Sequence, residues 1–217
     1  MALAAASCTS QRPATVDFSE TPREYRAKDY GAAYERWTRH DVIRWDYVDA
    51  ALEVWATFKS WDFREAYVEH YAGIYVLSEA DKATLRAAQL ETSRNTYEFH
   101  ITAQSARYSW NDLEKRNSPW RVSLIDGLGH ELTPDSLRLE KLPNAYEIEF
   151  FPAKTPFSRS YLVRFSKAPP PGPSPAPGQA AGQAASGENE FFGTRSGSLT
   201  LRIASPLGRT DLVWQGS

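Results

Sequence analysis

From about Tyr47 to the C-terminus the side chains alternate between apolar and polar in one short segment after another. Val48, Ala50, Leu52, Val54, Ala56 and Phe58 are interleaved with Asp49, Ala51, Glu53, Trp55, Thr57 and Lys59. Successive side chains of a strand leave on opposite faces, so a period of two specifies a sheet with one face turned to a core. The pattern returns at Tyr97–Ala103, Trp120–Leu124, Leu137–Leu139, Tyr146–Phe150, Tyr161–Phe165 and Leu199–Ile203, and in a last short run over 211–214. About eight strands joined by turn residues predict a mainly β chain with helices, of the α+β class. Stacking two antiparallel sheets as a β-sandwich buries one face of each strand; a half-open barrel is the alternative. Asp126-Gly127 reads as a hairpin turn, where a left-handed glycine is cheap.

Helical periodicity occupies the remaining segments. Tyr30, Ala33, Tyr34 and Trp37 fall at i, i+3, i+4 and i+7, which predicts an N-terminal helix over 23–40. A helical hairpin is expected at 61–94, inserted between the first two strands. Ser60 or Asp62 caps its first helix, and Ser78 with Asp81 opens the second. The 168–187 stretch (APPPGPSPAPGQAAGQAASG) has no charge and no large apolar side chain. Such a segment cannot offset its ordering entropy by burial, so it is expected to be a disordered loop within a single domain over 23–217.

The chain has one cysteine, Cys8, at the end of Met1-Ala-Leu-Ala-Ala-Ala-Ser. Small residues leading into Ser7-Cys8 resemble the lipobox of bacterial lipoproteins, although Ala5 stands where that family prefers Leu. The resemblance implies that Cys8 carries a diacylglycerol and becomes the mature N-terminus. Residues 1–8 then read as the remnant of a signal segment, the start codon lying too far downstream or the record being trimmed. Residues 9–22 read as a polar tether. Thr9 stands where Asp would signal inner-membrane retention, so the expected location is the outer membrane, facing the periplasm. A lone cysteine excludes an intramolecular disulfide and a multi-cysteine zinc site. A formal net charge of -2 does not suit a nucleic-acid partner, which requires surplus Lys and Arg.

Four stretches together resemble a family of bacterial predicted lipoproteins to which no activity is assigned. They are Ala56–Ala72, Trp110–Leu113, Pro119–Arg121, and Phe150–Pro152 with the segment Tyr161–Phe165. The resemblance spans about residues 45–214. It implies an envelope location and a β-rich architecture, not a chemistry.

The sequence holds no phosphate loop, nucleophile elbow or zinc helix. Its four histidines, His40, His70, His100 and His130, show no ligand spacing. No catalytic residue, metal or cofactor is assigned. His100 reads as a solvated residue on a polar strand face. Phe150, Phe151, Phe157, Tyr161 and Phe165 read as core. The candidate recognition loop is 108–120 (YSWNDLEKRNSPW), with Trp110, Asn111, Asp112, Arg116 and Trp120 as its contact residues. Its structural alternative is a cap on one end of the sandwich, built by an Asx turn and Trp packing. Two functions remain: a lipid-anchored, non-enzymatic binding or assembly module with a protein partner, or an envelope hydrolase using an unrecognised Asp/Glu/His site. Full-length protein made in a bacterium with an export signal is expected to incorporate radioactive palmitate, and Cys8→Ser to abolish it; unlabelled wild-type protein would remove the anchor.

Overall fold

The computed structural model describes residues 15–20, 24–45, 49–167, 191 and 193–217. Cys8 and the 168–187 segment lie outside these. Among the described residues ten strands form two five-stranded sheets: β1 (Thr15–Val16), β2 (Thr38–Arg44), β3 (Ala50–Phe58), β4 (Thr96–Gln104), β5 (Arg121–Asp126), β6 (Glu131–Leu132), β7 (Ser136–Glu140), β8 (Arg159–Ser166), β9 (Ser198–Ser205) and β10 (Gly208–Gly216). The first sheet runs β1-β10-β9-β5-β6 and the second β2-β3-β4-β8-β7. Every pairing is antiparallel except that of β1 with β10. Four α-helices accompany them: α1 (Tyr30–Trp37), α2 (Trp61–Tyr75), α3 (Glu79–Asn95) and α4 (Asn144–Phe150). The chain is therefore α+β with two sheets, an arrangement that fits a sandwich.

The inward rows are those that the alternation predicts. Phe99, Ile101 and Ala103 of β4, Leu52, Val54 and Ala56 of β3, and Leu199, Leu201 and Ile203 of β9 are all fully buried. Trp214 of β10 joins the two sheets. Its ring lies 5.3 Å from Phe99 and 6.1 Å from Phe58, and its Nε1 donates to the Trp37 carbonyl at 2.9 Å.

Several expectations are corrected. The N-terminal helix stops at Trp37, and Thr38 turns extended (φ -101°, ψ 139°) because the β-branched run around Val42 and Ile43 pairs with β3. The helical hairpin α2–α3 does separate adjacent antiparallel strands, but these are the third and fourth of the chain, not the first two. Thr15–Val16, within the expected tether, joins the edge of the first sheet. The Tyr146–Phe150 segment is helix α4, not a strand. Tyr146 and Phe150 satisfy both patterns, because positions four apart share a face in either geometry. Phe157 is not core but 79% exposed.

At the β5–β6 turn the left-handed residue is Gly129 (φ +90°), not Gly127. Gly127 serves instead for close approach, since a Cβ there would run into Ser196. Helix starts follow the expected caps. Ser60 Oγ accepts from Phe63 N and Ser78 Oγ from Asp81 N, each at 3.1 Å.

Because Trp214 is where the two sheets meet, Trp214→Ala should lower unfolding free energy by about 3–5 kcal/mol, measured by urea denaturation. A loss near zero would show that the sheets are not held through this ring.

Candidate functional site

The outer face of the second sheet is not solvated. Glu98, His100 and Thr102 of β4 alternate outward, yet all are buried. Helix α2 covers Glu98, and the segment after α4 covers His100. The Glu98 carboxylate meets Lys59 at 2.6 Å, Arg64 at 3.0 Å and Arg164 at 2.5 Å. Arg64, 1% exposed, also donates to the Lys59 carbonyl at 2.9 Å and to Gln89 of α3 at 2.6 Å. One guanidinium thus fastens sheet, β3–α2 junction and α3 together, using its fixed fork of donors. Burial by itself raises the Glu98 carboxyl. The charges of Lys59 and Arg64, with hydrogen bonds from Lys59 and Arg164, outweigh it and hold the group at about 2. Burial pushes Lys59 down despite Glu98.

His100 stacks on Phe151, ring centroids 3.4 Å apart at 13°. Its Nε2 has no hydrogen-bond partner among the described residues. Burial, reinforced by the charges of Lys59 and Lys154, drives this imidazole well below its ordinary range. It is a neutral spacer that seats α4, not the solvated histidine expected from its strand position.

Phe150 and Phe151 at the end of α4 serve different surroundings. Phe151 meets His100, whereas Phe150 enters a cluster with Tyr30 (5.7 Å), Tyr67 (5.2 Å), Tyr71 (5.8 Å) and Tyr146 (4.5 Å). The Tyr67 and Tyr146 hydroxyls share a 2.7 Å hydrogen bond, and burial pushes the Tyr146 phenol up to about 12. Between the C-terminal end of α2 and α4 these rings open into a cavity of about 290 Å3. It is lined by Ile74, Tyr75, Ala145, Tyr146, Glu149 and Phe150. Glu149 is 51% exposed and meets His70 at 2.8 Å; His70 stacks on Tyr30. Nothing in the sequence pattern isolated this cavity, because its walls come from segments 70 residues apart and one of them was read as a strand. The Tyr67, Tyr71 and Tyr75 spacing was the available signal.

One residue beyond Tyr75, Val76 ends α2 in the left-handed region (φ +49°) and is 87% exposed. This conformation ordinarily falls to Gly or Asn, and it costs a β-branched residue the most. Val76 thus combines backbone strain with an apolar side chain that buries nothing.

A larger cavity, about 560 Å3, lies between residues 24–26 and α2–α3. Its lining includes Trp61, Glu65, Glu69, Lys82 and Arg86. Arg86 engages Glu65 at 3.0 Å and Glu69 at 2.6 Å, and Lys82 engages Glu69 at 2.7 Å. These carboxylates knit α2 to α3.

The loop predicted for recognition is tied into the end of the second sheet. Asn111 Nδ2 donates to the Ala103 carbonyl at 2.7 Å, and Tyr161 donates to Asn111 Oδ1 at 2.9 Å. Asp112 accepts from Ser118 at 3.0 Å, and Trp120 Nε1 donates to the Trp110 carbonyl at 2.6 Å. Asn111, Asp112 and Trp120 are buried, Trp110 is half-buried and Arg116 is exposed. Arg107 lies over both Trp45 (4.8 Å) and Trp110 (4.6 Å). Among the described residues no three His, Cys, Asp or Glu side chains converge as a metal site, and no helix is long and apolar enough to cross a membrane. Comparisons with protein-family models, curated proteins and solved structures found no match.

Two groups in this layer make stability pH-dependent in separate windows. Folded His100 resists protonation, so stability falls as pH drops below about 6.5, by up to about 1.4 kcal/mol per pH unit. Glu98 is ionised and paired above the ordinary carboxylate range; its contribution is lost as pH falls toward about 2. His100→Leu should flatten the first window in urea midpoints measured from about pH 8 to 5, leaving the acid window intact. An unchanged slope would show that His100 protonates freely when folded.

Proposed function

We propose that the chain is an envelope-anchored, non-enzymatic binding module that presents the joined ends of α2 and α4 to a partner protein. The anchor is the lipobox-like Cys8 segment, and the family resemblance points to the same compartment. In this reading two sheets stacked as a β-sandwich form the scaffold, and the helical layer on one of them carries the binding face.

The observation that carries the reading is Val76. A valine held at φ +49° and 87% exposed costs stability and contributes no burial. Strain of this kind, over-determined by its surroundings, marks places where a side chain serves something outside the fold. Its neighbours agree. Ile74, Tyr75 and Ile148 are exposed large side chains on the same two elements, and exposed apolar side chains of this sort suit an interaction surface.

An envelope hydrolase is the second reading. The 560 Å3 cavity, holding the mostly buried Glu65 and Glu69, favours it. The commitment of both carboxylates to Arg86 and Lys82 supports it less than the exposed apolar tip supports a binder.

A photo-crosslinking amino acid at position 148 should yield discrete adducts in living cells, and the same probe at position 116 should yield none. Val76→Gly in the same background should reduce the adducts, while raising unfolding free energy by about 1 kcal/mol through relief of left-handed strain. Adducts from 116 and not from 148 would move the binding face to the 108–120 loop. A loss of stability in Val76→Gly would remove the strain argument.

A further inference from the structure

Resting on that reading of the α2–α4 face, we infer that its 290 Å3 cavity receives an arginine side chain of the partner protein. Three observations converge on a planar cation. The walls are aromatic: Tyr75 and Tyr146 line the cavity, with Phe150 buried beneath them. The negative face of an aromatic ring attracts a guanidinium within about 6 Å of its centroid. The one carboxylate in the lining is Glu149, half exposed and hydrogen-bonded to His70 at 2.8 Å. A carboxylate accepts a guanidinium through two parallel N–H donors, a geometry that an ammonium cannot reproduce.

The two segments that wall the cavity are also poor in cations. The segment 72–81 (AGIYVLSEAD) and helix α4 (NAYEIEF) contain no Lys or Arg, and they carry Glu79, Asp81, Glu147 and Glu149. Of these, Glu147 is buried and paired with Lys154 at 3.2 Å, and Glu149 is the one that lines the cavity. A cationic anchor bordered by the apolar Ile74 and the rings of Tyr75 and Tyr146 matches the way binding energy concentrates in protein interfaces, where Arg and Tyr dominate. The molecule uses the same pairing internally, with Arg107 against two Trp rings and Arg159 4.1 Å from the centre of the Tyr108 ring.

The test is a titration of the full folded chain, followed by amide chemical shifts, with three probes. These are acetyl-Gly-Arg-Gly-amide, the same peptide with citrulline in place of arginine, and choline. Citrulline keeps the shape of the side chain and removes its charge. The arginine peptide should give saturable shifts at residues 74–76 and 145–149, with millimolar affinity suited to one isolated anchor. The citrulline peptide and choline should each bind at least about tenfold more weakly. Glu149→Gln, which preserves the bond to His70, should weaken the arginine peptide at least about fivefold, as should Tyr75→Leu at an exposed position.

Equal binding of the citrulline peptide, preferential binding of choline, or no saturable shift up to about 50 mM peptide would each overturn the inference. Those results are separable from failure of the binding-module reading. Adducts at position 148 alongside a failed titration would keep the face and discard the arginine. Absence of both would discard the two together.

Discussion

The arrangement of the whole helical layer depends on one carboxylate. Glu98 points away from the core that its own strand helps to form, into what would be the solvated side of a two-sheet protein. It stays ionised there because Lys59, Arg64 and Arg164 surround it within 3.0 Å. A buried charge without partners would be intolerable, and a buried pair replaced by apolar groups of similar shape is often no less stable. What the cluster adds is therefore position. Arg64 reaches Glu98, the Lys59 carbonyl and Gln89 at once, which fixes where α2 and α3 lie against β4.

Placement of α4 follows from the same stratum two residues further along β4. His100 gives Phe151 a flat surface to stack upon, and the charge of Lys59 nearby helps keep that imidazole neutral. With Phe151 fixed downward, Phe150 is committed to the opposite side, among the tyrosines of α2. The aromatic cavity is thus a consequence of the ionic layer: sheet side chains set two helices, and those helices bring Tyr75, Tyr146 and Glu149 into one lining. Polar residues far from the surface thus set the shape of the cavity without lining it.

The inward half of this structure was legible in the sequence, because period-two alternation and sheet geometry are the same fact. Phe99, Ile101 and Ala103, or Leu199, Leu201 and Ile203, could be placed facing the core without coordinates. The capping serines of α2 and α3 were legible for a comparable reason: a side-chain oxygen three residues before an open amide is a local arrangement. The outward half was not legible. Glu98 and His100 carry the polarity of a solvent face, and only long-range contacts from α2 and the segment after α4 turn that face into an interior. Tyr146 and Phe150 illustrate a second limit. Spaced by four, they obey strand and helix alike, and the ambiguity hid one wall of the cavity.

Val76, one residue beyond the lining residue Tyr75, is a local cost to stability. The turn between α2 and α3 needs a left-handed residue, and glycine would supply it with less strain. A valine there gives up folding free energy and buries almost none of its side chain. The same trade is absent from the 108–120 loop, where Asn111, Asp112 and Trp120 all spend their hydrogen-bonding groups on the fold. Polar side chains that close an end of a sheet are fully accounted for by the sheet. An exposed, strained valine next to Tyr75 is not accounted for by packing within the chain. The two segments thus differ in kind: the 108–120 loop is hydrogen-bonded into the end of the second sheet, and Val76 projects from the end of α2.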